Sequence, residues 1–193
     1  KRMLDRSGAG ELDSEQLKIE WYKLATEFGF GVREHFSTFS MNGLDENMEK
    51  SLELAYQLML TPNVEDTTWD ETKKIILSER DDEQKDPRAL SNALAHFHRY
   101  GSESRYLKRA SDADLNTSSV SSLSKILSEI FEVERTILYY GPRTVEEISA
   151  TIKNGFLGKQ PTKENPSFVP DRSISPNTNQ VFFLQKEMAQ AQV

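Results

Sequence analysis

The sequence predicts an α+β domain in which an antiparallel sheet is packed by several amphipathic helices, and three observations carry that prediction. Apolar residues recur at helical spacing in five separate stripes, β-favouring residues occur only in a few short runs, and two of those runs stand back to back as a hairpin. Helices should therefore outweigh strands.

The first stripe, Leu17, Trp21 and Leu24 with Phe28 beyond them, follows Asp13-Ser14, either of which can cap a helix N-terminus. Phe28, Phe30 and Val32 then alternate with Gly29 and Gly31, and after the polar Arg33-Glu34-His35 a second β-favouring stretch runs from Phe36 to Met41. Gly43-Leu44-Asp45 opens a helix whose Met48, Leu52, Ala55, Tyr56 and Met59 share a face and which stops before Pro62. Thr68-x-x-Glu71 has the capping-box pattern and leads into Ile75-Ile76-Leu77 and the polar run from Ser78 to Asp86. Asp86-Pro87 restarts the backbone with proline at the first helical position, Leu90, Leu94 and Phe97 form the next stripe, and Gly101 suits the position just past the helix end.

Residues 101–116 show no regular period. Val120, Leu123, Leu127, Ile130 and Phe131 again share a helical face, with Thr117 or Ser118 as the expected cap. Arg135 to Tyr140 is a β-rich run stopped by Gly141-Pro142 and expected to join Phe28–Val32 and Phe36–Met41 in the sheet, and Thr144-x-x-Glu147 caps a short helix ending at Asn154-Gly155. From Phe156 to Asn179 come Pro161, Pro166, Pro170 and Pro176 among polar residues without periodicity, the composition of a linker. Gln180 to Leu184 reads as a further strand and Met188 to Val193 as the start of its partner; a lone strand pair is not stable by itself. The expected organisation is a domain over 1–155, a linker over 156–179, and the first strands of a next domain over 180–193.

Charge and composition exclude several classes of function. With 24 Lys+Arg against 31 Asp+Glu the net charge is −7, a field that repels phosphate backbones, so no nucleic-acid partner is expected. No apolar run approaches the roughly 20 residues of a membrane-spanning helix, so no membrane insertion is expected. The absence of cysteine removes disulfides, thiolate zinc sites and cysteine nucleophiles. The chain begins with Lys1, so any signal peptide is either upstream or absent.

Four separated segments, in order, carry a family likeness: Asn42-Gly43-Leu44-Asp45-Glu46-Asn47 running into Ser51-Leu52-Glu53-Leu54; Glu79-Arg80 leading to Asp86-Pro87; Arg99-Tyr100-Gly101; and Thr136-Ile137-Leu138-Tyr139-Tyr140-Gly141-Pro142. In this order they resemble a domain of the pitrilysin/insulinase-type (inverzincin) zinc metallopeptidases, specifically of the non-catalytic C-terminal half. The resemblance implies a clamshell of two halves, each of two similar α+β domains, enclosing a chamber in which peptides are cut. In such enzymes zinc is held in the N-terminal half by H-x-x-E-H, two histidines one helical turn apart with the glutamate as general base, and a distal carboxylate.

The resemblance places the matching helix of this chain near its start, where Lys1-Arg2-Met3-Leu4-Asp5 offers neither His nor Glu, and it sets Glu79 close to the position of the distal ligand. One carboxylate without its histidine pair cannot hold zinc. The expectation is therefore no catalytic, cofactor-binding or metal residue in this chain, with zinc in the N-terminal catalytic half of the parent protein and that half and a peptide substrate as partners. The domain would then be lacking its first strands and the start of that helix, and a bacterial periplasm or cell envelope is the location the likeness suggests. The alternative is a structural or partner-binding subunit of the same fold with no peptidase activity in either half.

Sharper readings of individual residues have weaker support. His96 and His98 are two apart on a helix, about 200° around its axis, and diverge; His35 lies in the hairpin turn. Glu79, Asp81, Asp82 and Glu83 lack the glycine-containing spacing of a calcium loop and suit a solvated helix face. Ser118 to Ser124 has no Gly-x-Ser-x-Gly elbow or adjacent histidine, and Gly29-Phe30-Gly31 lacks the lysine and helix of a phosphate loop. Glycine in a strand more often marks a close approach, here expected from a helix crossing the sheet.

Overall fold

The computed structural model describes residues 1–33, 36–154, 158, 161–164, 172–175 and 177–186. His35 and Met188 to Val193, and with them the expected partner strand, lie outside the described residues. The chain forms two compact units that do not follow chain order: residues 1–70 with 118–167, and residues 71–117 with 168–193.

In the first unit a 3-10 turn at Leu4–Arg6 buries Met3 and Leu4 and leads to the short strand β1 (Gly8–Ala9). Helix α1 (Ser14–Lys23) begins at a full capping box, in which Asp13 accepts from the N–H groups of Glu15 and Gln16 and the Gln16 side chain accepts from the Asp13 N–H. The chain then turns through Ala25, whose φ of +48° is in the left-handed region. β2 (Glu27–Val32) and β3 (Ser37–Asn42) pair antiparallel with Phe30 opposite Phe39, within a residue of the bounds read from the sequence.

Alternation sorts the hairpin into an aromatic face and a bare one. Trp21 of α1 stacks on Phe28 at 5.6 Å, Phe28 meets Phe39 edge-on at 5.1 Å, and Phe30 is buried. On the other face sit Gly29, Gly31, Thr38 and Ser40. A Cβ at Gly29 would stand 2.7 Å from Ser40 Oγ, and one at Gly31 2.6 Å from Thr38 Oγ1. The close approach that these glycines allow thus comes from side chains across the hairpin, not from a crossing helix.

A 3-10 turn at Asp45–Asn47 runs into α2 (Met48–Leu60), after which β4 (Pro62–Asn63) pairs with β1. Helix α2 buries Ser51, Leu54, Ala55, Leu58 and Met59; of the expected stripe Ala55 and Met59 are in the core, while Met48, Leu52 and Tyr56 are half-buried, so the buried face is rotated toward Ser51 and Leu54. Complete burial of each Leu or Met contributes about 1.5–3 kcal/mol, which makes this helix the centre of the unit's core. It packs against α7 (Val120–Glu129), and Tyr56 meets Phe131 at 6.2 Å. The cap of α7 is Ser119, in a reciprocal box with Ser122, one or two residues later than expected.

Arg135 to Tyr140, expected as a third strand of the sheet, is not one. Among the described residues the sheets are β1 with β4 and β2 with β3, and 134–140 form no helix or strand. Its side chains alternate in exposure as an extended chain's do, Ile137 at 41% and Tyr139 at 38% against Leu138 at 91% and Tyr140 at 104%. The composition is that of a strand; what is missing among the described residues is a partner to supply the ladder. After it, α8 (Val145–Asn154) starts at the expected box, Thr144 N–H donating to Glu147 at 2.8 Å and Glu147 N–H to Thr144 Oγ1 at 3.3 Å. Lys163 forms a parallel bridge with Val133 and an ion pair with Glu132.

Helix α3 (Asp66–Glu83) begins before the Thr68-x-x-Glu71 pattern, which lies inside the helix and is not its cap. It contributes Trp69 to the first unit and, from Glu71 onward, its remaining turns to the second. In the second unit α4 (Pro87–Tyr100) starts as expected, with Asp86 accepting from the Arg88 N–H at 2.8 Å, and stops at Gly101, φ +55°. The aperiodic stretch 101–116 holds a 3-10 turn, Gly101–Glu103, and two short helices, α5 (Arg105–Lys108) and α6 (Asp112–Thr117). Such helices span too few turns to leave a period. Arg80 bridges to Asp112 and to the Ala110 carbonyl, and Arg109 to Glu83, which pins the end of α3 to the region before and within α6.

Candidate functional site

A dense polar arrangement of the first unit lies at the start of α2 and is built by the motif Asn42 to Asn47. Gly43 sits where a Cβ would stand 2.6 Å from Thr26 Oγ1 and 3.1 Å from the Ala25 carbonyl, so the chain can pass the left-handed turn only without a side chain there. Asn47 Nδ2 donates to the Leu24 carbonyl at 3.0 Å, and the buried hydroxyls of Thr26 and Ser51 share a 2.7 Å hydrogen bond. These contacts lock the turn between α1 and β2 onto α2.

The other side of the same motif holds the start of α8. Arg143 donates from Nε to Asp45 Oδ1 at 2.8 Å, from Nη2 to the Asp45 carbonyl at 2.7 Å, and from Nη1 to Glu49 at 3.1 Å. The Tyr139 hydroxyl donates to Asp45 and accepts from the Arg143 N–H, both at 3.3 Å. Hydrogen bonds first to Asp45 and then to Glu49 hold the guanidinium above its ordinary pKa, and those from Thr144 hold the Glu147 carboxyl below the usual glutamate value. Every member of this cluster is committed to another, so it positions backbone and leaves no group poised as base or nucleophile. Sequence reading took Asp45 as part of the opening of α2, singled out Asn47 and Ser51 only through likeness, and missed Arg143 altogether. Nothing beside Arg143 in the sequence marks it, because its carboxylate partners lie 94 and 98 positions away.

The residues weighed for chemistry are scattered. His96 Nδ1 lies 3.1 Å from the Ser104 Oγ, with its ring against Tyr100 at 4.5 Å and Tyr106 at 5.6 Å, while His98 meets Phe182 at 4.9 Å. The two imidazoles have different neighbours, and Ser104 is fully buried, out of reach of a substrate. Glu79 is exposed on α3, Glu83 pairs with Arg109, and Asp82 lies 3.6 Å from Lys85. No group of three or more His, Cys, Asp or Glu among the described residues is placed to hold a metal ion.

The serines are structural: Ser118 accepts from the Trp69 indole at 3.3 Å, Ser119 and Ser122 cap α7, and Ser124 donates to the Val120 carbonyl. Two clefts of about 690 and 580 Å³ open on the first unit, one bordered by Glu11, Glu20, Lys50 and Glu53 and the other by Trp21, Phe28 and Gly31; neither is lined by a histidine. Among the described residues no helix is long and apolar enough to cross a membrane.

This architecture is the α+β fold of pitrilysin-type M16 peptidase domains, as comparison with solved structures shows. The inactive domain of an M16 peptidase from Pseudomonas fluorescens superposes with a TM-score of 0.66 at 16% identity, over 88% of this chain and 42% of that one. A mutant of the ferredoxin protease FusC, solved in complex with Arabidopsis ferredoxin, gives 0.70 at 10% identity over 90% of this chain and 19% of its own. The periplasmic protease PqqL of Escherichia coli gives 0.62 at 17% identity, over 89% and 19%. The chain thus spans less than half the length of each. No protein-family model matches the chain, and no curated protein matches it.

Proposed function

We propose that this chain is part of the non-catalytic half of a zinc-dependent endopeptidase, where it forms a section of the wall that encloses a peptide or protein substrate. The observation that carries the reading is the fold shared with an M16 inactive domain, together with motif residues that resolve into packing contacts: Gly43, Asp45, Asn47 and Ser51 all hold secondary elements together. A wall needs rigid elements, not reactive groups. In this reading zinc and the general base belong to an N-terminal catalytic half of the same protein, which is also the domain's partner. Likeness to FusC bound to a ferredoxin supports a polypeptide substrate, and likeness to periplasmic PqqL supports a periplasmic or cell-envelope home.

Zinc titration by calorimetry and a fluorogenic peptidase assay, run on the 193-residue chain and on the complete polypeptide encoded by its gene, test this. The chain alone should bind no stoichiometric zinc and cleave nothing, whereas the complete polypeptide should do both. Stoichiometric zinc on the isolated chain, lost in Glu79→Ala, would place it in the catalytic domain. A complete polypeptide that folds but binds no zinc would instead make it a structural subunit.

A further inference from the structure

We infer that the C-terminal end of α4 is a binding site for an extended, uncharged peptide segment with apolar anchors, and that residues 173–185 of the same chain fill it in cis as a releasable strap. The inference is independent of the proposed function. Three contacts within the second unit carry it. The Ile174 N–H donates to the Arg99 carbonyl at 2.6 Å, in the last turn of α4, where a helix leaves its carbonyls without intrahelical partners. Gly101 follows, and a Cβ there would stand 2.7 Å from Ile174 Cδ1, so the missing side chain is what lets the isoleucine reach the helix end. Eight residues beyond Ile174, Phe182 lies edge-on to Phe97 at 5.9 Å and to His98 at 4.9 Å.

The second anchor is selective. Val181, Phe182 and Phe183 are consecutive apolar residues, yet Phe182 is half-buried while Val181 is 95% and Phe183 80% exposed. The receiving helix is only partly covered: α4 carries the stripe Leu90, Leu94 and Phe97 but buries no residue fully, and Phe97 keeps 39% of its surface beside Phe182. Residues 173–185 contain no ionisable side chain, so apolar contact and backbone hydrogen bonding hold the strap, not ion pairs. A hold of that kind, set against the entropy of ordering the segment, makes a latch that opens without unfolding α4. Its tether in turn gives the segment an effective concentration roughly in the millimolar range, far above that of a free peptide at micromolar levels.

The probe is a fluorescein-labelled, end-blocked peptide of residues 173–185. It is titrated by anisotropy into the 193-residue chain and into its Ile174→Ser/Phe182→Ser variant, in which both anchors are gone and the site is vacated. The variant, with unchanged circular dichroism, should bind the peptide saturably, and the wild-type chain at least about tenfold more weakly because its own strap is in place. A Phe182→Ser peptide should lose binding to the variant, whereas a Phe183→Ser peptide of identical composition should keep it. Amide exchange followed by NMR reads the strap in the wild-type chain itself: the Ile174 N–H should exchange more slowly than an unstructured amide, and faster again in Phe182→Ser, because the two anchors open together. An unprotected Ile174 amide, equal binding of the peptide to both chains, a folded variant that does not bind it, or loss of binding by the Phe183→Ser peptide would each overturn the inference.

Discussion

Phe28 to Met41 and Arg135 to Tyr140 have nearly the same vocabulary, aromatic and β-branched residues ended by turn formers, and the fold treats them differently. The first makes a six-residue antiparallel pairing with Phe30 buried, while the second joins no ladder among the described residues and leaves Leu138 and Tyr140 almost fully exposed. The difference teaches that β-propensity describes fitness for a pleated surface, not possession of one. The hairpin carries its own partner, from Ser37 five positions beyond Val32 to Asn42 fifteen beyond Glu27; the later run depends on a partner from elsewhere. A helix satisfies its backbone within itself and escapes this condition, which is why the helical stripes translated into helices more faithfully.

Substitutions can break this comparison, and the largest effect should come from the paired region. Phe30→Ala removes a ring that is 9% exposed and should cost about 3–5 kcal/mol in urea unfolding followed by far-ultraviolet circular dichroism. A loss no greater than that of a surface change would mean that the hairpin's aromatic face is not core. Next comes Gly43→Ala at the end of the hairpin, where the new Cβ meets Thr26 Oγ1 and the Ala25 carbonyl; overpacking there should cost about 1–3 kcal/mol, visible as a lowered thermal midpoint. An unchanged midpoint would show that the turn yields.

The helix after the unpaired run offers a titration. Glu147 accepts hydrogen bonds as a carboxylate and its folded pKa lies below the ordinary glutamate value, so its stabilisation is present above that ordinary value and is lost as pH falls through the lowered one. Helicity of the wild-type chain should therefore fall more steeply over that acid limb than that of Glu147→Gln, and superimposable curves would remove the capping box from the account. The smallest effect belongs to the unpaired region. Leu138→Ser should change stability by no more than about 0.5 kcal/mol, and a cost approaching that of Phe30→Ala would show that this segment is covered after all.

What was legible in the sequence was local. The hairpin bounds, the Asp86-Pro87 start and the Thr144-Glu147 box all rest on residues a few positions apart, and each is present in the fold. The Thr68-x-x-Glu71 reading failed because the same spacing also occurs within a helix, and Asp66 had already begun this one. The rotated face of α2 escaped because Ser51 looks polar until Thr26 supplies its partner across 25 positions. Arg143 was invisible for the same reason, since its carboxylates lie 94 and 98 positions away. Long-range polar partners are set by the fold, and no periodicity records them.

Both tryptophans, Trp21 stacked on Phe28 and Trp69 buried with its indole N–H held by Ser118, fall in the unit built from residues 1–70 and 118–167. Tryptophan emission, excited selectively at the red edge, therefore reports on that unit, and the unit holding α4 to α6 has only tyrosines to report on it. If the two units melt separately, emission and circular dichroism will trace different curves, and a single fluorescence midpoint would overstate how cooperatively this chain unfolds.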